Sequence, residues 1–220
     1  MATGLIMMNR RLSTIDRFIL QADRALKTLI PQSVQSTRPN PVDGLDETLL
    51  SDEQKRHIAG LMRINHTGEV CAQGLYQGQA MTADHPHLAA ALEKAAEEEL
   101  DHLAWCEQRV QQLGYTTSLL NPLWYLGSVG IGVVAGLAGD AISLGFVAET
   151  EHQVQAHLEH HLSQLPVDDH RTRAIVEQMN LDERQHAEMA LAAGGKPLPP
   201  PIKGAMHLMS RVMTTLVYYF

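Results

Sequence analysis

Two Glu-x-x-His motifs constrain this chain more than any other feature: Glu99–His102 in "EELDHL" and Glu183–His186 in "LDERQHAEM". In a helix, positions three apart differ by about 300° and rise about 4.5 Å, so the two side chains of each motif share one face. That face is the apolar one. The first stripe reads Leu88, Leu92, Ala95, Glu99, His102, Cys106, Val110, and the second reads Ile175, Met179, Glu183, His186, Ala190. A carboxylate on a buried stripe is strongly unfavourable unless it is paired or bound to a cation. Two other long helical stretches each break in the same way. Glu69 interrupts Ile58, Met62, Asn65, Ala72, Tyr76, and Glu151 interrupts Leu144, Val147, Val154, Leu158, Leu162. Glu149 lies about 200° round from Glu151 on the opposite face, and Glu97 is off the stripe of its helix.

Glu69 precedes Glu99 by 30 residues, and Glu151 precedes Glu183 by 32. The chain therefore repeats a helix pair that carries one Glu and one Glu-x-x-His per half. This pattern predicts an all-α, ferritin-like four-helix bundle with additional apolar and amphipathic helices, its carboxylates and imidazoles turned inward. Four carboxylates balance two divalent ions. Zinc would recruit more His or Cys, so two Fe ions per chain are the first choice and manganese the second.

The remaining signals fit one domain over residues 1–220. Convincing period-two runs are missing, while helix signals are frequent. An amphipathic stretch covers 12–30, and "STRPNPVDG" reads as a linker. Ser51 with Gln54 forms a capping box that opens a helix over about 52–82. Further helices are predicted at about 87–112, 141–163 and 169–193. Asn121-Pro122 reads as a cap and first-turn proline opening an apolar, glycine-rich segment over 119–139. "KPLPPPIKG" reads as a stiff connection to an apolar C-terminal helix within 202–220.

With these residues in view, the chain resembles the demethoxyubiquinone hydroxylase family, the di-iron enzymes of ubiquinone biosynthesis. The resemblance spans roughly residues 10–220. It rests on "RINHTGEVCAQGLYQGQ" with Glu69, "EELDHLAWCEQR" with Glu99 and His102, "FVAETEHQVQAHL" with Glu151, and "DERQHAEMA" with Glu183 and His186. It implies hydroxylation of the benzoquinol ring of a polyprenylated ubiquinone precursor, with O₂ and two electrons. It further implies membrane lipid as a contact and other ubiquinone-biosynthesis proteins as partners. His157, in "QAHLEHH", corresponds to a family histidine near the metals and is the candidate catalytic residue. It falls off the Glu151 stripe, and a surface histidine beside His160 and His161 is the competing reading.

Residues 116–139 contain no charged side chain. A single membrane span there would put Glu99 and Glu151 on opposite sides of the bilayer, which one shared metal cluster forbids. The segment is expected instead to cross along the bundle, to form a hairpin, or to lie in the membrane interface. "GIGVVA" at 130–135 matches a dinucleotide-binding pattern, but no strand precedes it, and close helix packing through Gly132 and Gly136 explains it better. Without a flavin or nicotinamide fold, electrons are expected from an external donor such as NADH, or through the quinone itself. Cys106 reads as a core thiol.

Net charge is −8, which excludes nucleic acid as a natural partner, yet residues 1–40 carry six basic residues against Asp16 and Asp23. That basic arm on an acidic body fits either anionic lipid or a solvated helix face. Two cysteines, and a start "MATGLIMMNRR" without the basic-then-apolar order of a signal peptide, set the expected location: peripheral on the cytoplasmic face of the inner (cell) membrane. Two readings compete with the hydroxylase. An iron-storage or ferroxidase bundle shares the ligand set but needs no apolar 119–139 segment, and a di-manganese catalase differs in metal and in its action on peroxide.

Overall fold

The computed structural model describes residues 13–220, and no strand occurs among them. Seven helices follow one another: α1 (Thr14–Leu29), α2 (Asp52–Thr82), α3 (Pro86–Gln112), α4 (Asn121–Leu137), α5 (Asp140–Gln164), α6 (His170–Ala192) and α7 (Pro200–Val217). The boundaries follow local chemistry. At the start of α2, Ser51 and Gln54 exchange side-chain-to-backbone bonds of 2.8 and 3.2 Å, satisfying two amides the helix leaves free. Ser13 and Asp16 do the same for α1. Gly114 (φ 87°), Gly139 (φ 99°) and Gly194 (φ 105°) follow α3, α4 and α6 in a backbone conformation that favours glycine.

Two expectations are corrected here. Asn121 is not the cap of α4, since Leu120 holds that position without a side-chain cap bond. Asn121 lies inside the first turn, where its Oδ1 accepts a 2.8 Å hydrogen bond from the Thr67 hydroxyl on α2. The proline-rich run is also less of a connection than it reads. Pro199 caps α7, and Pro200 and Pro201 form its first positions, where a missing amide proton has no cost.

Helices α2, α3, α5 and α6 form the bundle. α2 packs on α3 and α5 on α6, and the two pairs meet through α3 with α6 and α2 with α5. This is the ferritin-like arrangement. Two apolar clusters fill the bundle, and a smaller third (Val70, Leu103, Tyr125) lies where α2 and α3 meet α4. Of the two, one contains Ile58, Met62, Cys106, Val110, Leu158, Ile175 and Met179. The other contains Ala72, Tyr76, Leu88, Leu92, Leu144, Val147 and Ala190. Along each of the four helices the polar breaks fall between the two clusters.

α4 lies against α2 through glycines. A Cβ on Gly78 would sit 2.3 Å from the Val129 carbonyl oxygen, and one on Gly132 would sit 2.2 Å from that of Leu75. Two backbones can approach this closely only where side chains are absent. "GIGVVA" is thus helix, and its glycines are packing residues. The outer side of α4 stays apolar and exposed at Leu123, Leu126, Val134 and Leu137, as does α7 at Leu208, Met209 and Val212. Among the described residues, no helix is long and apolar enough to cross a membrane.

Where it is described, the basic arm is largely paired with acids. Arg24 meets Glu93, Lys27 meets Asp23 on its own helix, and Arg38 meets Asp101 and Asp182. Arg10 and Arg11 lie outside the described residues.

Candidate metal centre

The stripe-breaking residues meet in the space between the two apolar clusters. Glu69, Glu99, His102 and Glu183 each present a ligand atom, and these atoms lie within 4.8 Å of one another. All four are buried, as are Glu151 and His186. Glu99 stands between the imidazoles, with Oε2 2.7 Å from His102 Nδ1 and Oε1 2.6 Å from His186 Nδ1. Glu183 does likewise, with Oε1 3.2 Å from His102 Nδ1 and Oε2 3.7 Å from His186 Nδ1. Each of these carboxylates therefore faces both imidazoles. Glu151 accepts a hydrogen bond from the Tyr76 hydroxyl.

These short separations do not satisfy the groups. Glu99 Oε1 and Oε2, His102 Nδ1, Glu183 Oε2 and His186 Nδ1 are all buried without a hydrogen-bond partner. They lie close to one another without forming hydrogen bonds. Orphaned polar atoms of this kind are rare in folded proteins, because each carries a full desolvation penalty. A cation removes that penalty for all five atoms together.

Electrostatics point the same way. Burial, and then the charges of Glu183 and Glu99, push the carboxyls of Glu69 and Glu151 well above the usual range. Burial opposes ionisation of Glu99 too, but His102 and His186 beside it outweigh that and hold its carboxyl low. Burial would lower His186, yet contacts with Glu183 and Glu99 carry it up to about 11. Four carboxylates buried together call for compensating positive charge. The donor set, oxygen-rich with two imidazoles, suits two divalent ions of iron or manganese character.

The outward ring nitrogens are anchored in a crossed pattern. His102 Nε2 on α3 lies 2.9 Å from Asp182 Oδ2 on α6, and His186 Nε2 on α6 lies 3.3 Å from Glu98 Oε2 on α3. In each motif the residue just before the Glu serves the histidine of the other motif. Such carboxylates fix the imidazole tautomer and strengthen it as a ligand. Sequence reading missed these residues, and Tyr76 as well, which sits on the α2 stripe and passed for core. The signal for Glu98 and Asp182 was present in the duplication, since both halves place an acid at the same offset.

Glu149 is off the centre and bonded to Lys203 at 2.6 Å, and Glu97 is exposed. Cys106 is buried at 0 % exposure beside Met179, as a core thiol should be. His157 is neither in the cluster nor fully on the surface. It is half-buried on the wall of a cavity of about 420 Å³ that Glu69 also lines. Burial, then His207 and His160, lowers its pKa. The cavity wall is otherwise mostly apolar, with Phe146, Leu158, Met206 and Met213. It reaches the exposed apolar surface at Leu123 of α4 and Met209 of α7.

Known proteins resemble the chain closely. A family model described as ubiquinone biosynthesis protein COQ7 matches residues 56–217. The 3-demethoxyubiquinol 3-hydroxylase of Pseudomonas fluorescens (strain Pf0-1) is 60% identical over 209 residues, covering 95% of this chain and 97% of that protein. The protein of the same name from Pseudomonas aeruginosa (strain LESB58) is 58% identical over 210 residues, covering 96% and 98%.

Proposed function

The chain belongs to the ubiquinone biosynthesis protein COQ7 family, and on that premise we propose that its buried cluster holds two iron ions beside a cavity for a polyprenylated demethoxyubiquinol. It is an enzyme, a hydroxylase of ubiquinone biosynthesis. The observation that carries the iron reading is the set of five orphaned ligand atoms shared by Glu99, His102, Glu183 and His186. Glu69 and Glu151 complete the six, and bound iron supplies the redox chemistry with O₂.

The protein's residues do the rest. One oxygen atom of O₂ enters a ring C–H bond to give C–OH, and the other leaves as water, with two electrons and one proton drawn from an external donor such as NADH and the second proton from solvent. The cavity holds the quinol ring at its Glu69 end and lets the prenyl tail run outward between α4 and α7. Its apolar wall excludes water from the reacting ring. His157, half-buried on that wall and neutral at physiological pH through its lowered pKa, is placed to exchange a hydrogen bond with a ring oxygen. Tyr76 holds Glu151 through its hydroxyl.

Leu123 of α4 and Met209 of α7 line the cavity and are continuous with the exposed apolar faces of those helices, so a membrane-dissolved substrate can enter without crossing water. The protein accordingly sits on the cytoplasmic face of the inner membrane, attached peripherally through that surface. Contacts with other ubiquinone-biosynthesis proteins belong to the same reading.

The test is complementation. Cells lacking this protein should accumulate a quinone one methoxy group short of ubiquinone, and the wild-type gene should restore the product. His186→Ala should abolish rescue and Glu97→Ala should preserve it, as read by chromatography of extracted quinones. Normal ubiquinone in the His186→Ala strain would overturn the reading. Unchanged quinones in every strain, with altered iron uptake, would favour a storage bundle.

A further inference from the structure

The stretch between α1 and α2, unremarkable as a linker, carries a residue whose contacts lead to the cluster. Arg38 Nε lies 2.7 Å from Asp101 Oδ2, and its Nη1 lies 2.8 Å from Asp182 Oδ2. The same Asp182 oxygen is 2.9 Å from His102 Nε2. The guanidinium rests 4.8 Å above the ring of Trp105, whose indole N–H donates to Ser36 Oγ at 3.0 Å. The Thr37 amide donates to Asp101 at 2.7 Å, and Trp105 in turn packs 5.5 Å from the His102 ring. Residues 36–38 are thus tied to α3 and α6 at once, and the chain of contacts ends on a ligand.

The other imidazole has no such support. His186 Nε2 faces Glu98 Oε2 at 3.3 Å, and the Glu98 side chain is 39% exposed. Its remaining oxygen meets Lys94, 76% exposed, in an ordinary surface pair at 3.1 Å. Pairs of that kind hold geometry weakly. Asp182, by contrast, is only 11% exposed and is held by a planar guanidinium that also bonds a second carboxylate. The crossed carboxylate–histidine pattern is symmetric in sequence and asymmetric in rigidity.

We propose that the two metal positions are unequal: Arg38, acting through Asp182 as a positioning residue, makes the His102 position the tighter one that fills first, while the His186 position, backed by Glu98, is the one that exchanges with solvent. The inference rests on the six residues forming a two-metal site. It concerns a residue outside positions 56–217, the part that the family model matches.

The test is an anaerobic titration of metal-free full-length protein with ferrous ion, with affinities read by competition against a chromophoric chelator. Wild type should take up two equivalents in two steps. Arg38→Gln should weaken the tight step about 10–100-fold, as loss of a group supporting a ligand does, and leave the looser step within about threefold. Arg38→Lys keeps the charge but cannot bridge both carboxylates, and should recover only part of the loss, the remaining deficit again confined to the tight step. Glu98→Gln should weaken only the looser step and speed removal of the second ion by chelator. If Arg38→Gln shifts both steps alike, or neither, Arg38 acts on the fold or not at all, and the proposal is wrong. A single step of two equivalents in wild type also overturns it. If Arg38→Gln does not fold, the opposite selectivity of Arg38→Lys and Glu98→Gln decides in its place. Wild type that binds no ferrous ion sinks the two-metal reading itself, and this inference with it.

Discussion

Replacing Gly132 by Ala sets two local effects against each other, and the structure decides the sign. Helix propensity alone favours Ala, by about 1 kcal/mol. The added Cβ would lie 2.2 Å from the Leu75 carbonyl oxygen and 3.1 Å from the Gln79 amide nitrogen, both backbone atoms of α2. An ordinary carbon–oxygen contact needs about 3.3 Å, so the two helices must part by about 1 Å. A gap of that size forfeits a quarter to a half of each dispersion contact along the shared face, and overpacking of this kind costs about 1–3 kcal/mol, at times more. With propensity included, a net loss of about 1 kcal/mol is expected, or a fall in Tm of about 2–4 °C for a chain of this size. Gly130 supplies the control within the same helix. It is exposed, and its added Cβ would meet nothing within 4 Å. Gly130→Ala should raise stability by about 0.5–1 kcal/mol. Thermal unfolding followed by circular dichroism reads both. Equal shifts in one direction would refute close backbone contact as the reason for the glycines.

Three further outcomes follow from other parts of the molecule. Glu151→Ala should lose bound metal while Glu149→Ala keeps it and loses only the bond to Lys203; metal analysis of the purified variants checks this, and equal contents would refute the stripe argument. Gly68 lines the cavity beside Glu69, and its Cβ would meet open space, so Gly68→Leu should fold and hold metal but bind a short-chain quinol at least tenfold more weakly in a fluorescence or calorimetric titration. His161 is buried with its Nδ1 2.8 Å from Asn65 Oδ1, and burial, helped by His157 and His160, lowers its pKa to about 3. Its contribution is therefore complete above the unfolded value of about 6.5 and drains away as pH falls toward the folded value. Between pH 6.5 and 5, stability should fall more steeply in wild type than in His161→Gln, by up to about 1.4 kcal/mol per pH unit; parallel denaturant curves in the two proteins would contradict it.

Much of this was legible in the sequence because helix periodicity reports which side of a helix faces inward. Every residue on the four stripes is buried or half-buried, and α2 runs over the span that its capping box announces. Periodicity says nothing, however, about what a residue on one helix touches on another. Asp182 and Glu98 sit one position off their stripes, so only the packed bundle shows them reaching the histidines of the opposite motif. Arg38 was still less visible. Its segment has no period at all, and its role depends on Asp101 and Asp182, 63 and 144 residues away. The prolines before α7 misled for a different reason: proline breaks a helix interior but fits its first turn, and sequence alone does not say which side of the boundary it occupies.

The most direct test of the central claim is isotopic. Purified protein reconstituted with iron, supplied with a reductant, a demethoxyubiquinol with a shortened prenyl tail and ¹⁸O₂, should yield a hydroxylated quinol carrying one ¹⁸O atom by mass spectrometry. The His102→Ala and His186→Ala variants should yield none. A wild-type product whose new oxygen comes from water, or undiminished ¹⁸O product from both histidine variants, would contradict the claim that this six-residue cluster carries the hydroxylation.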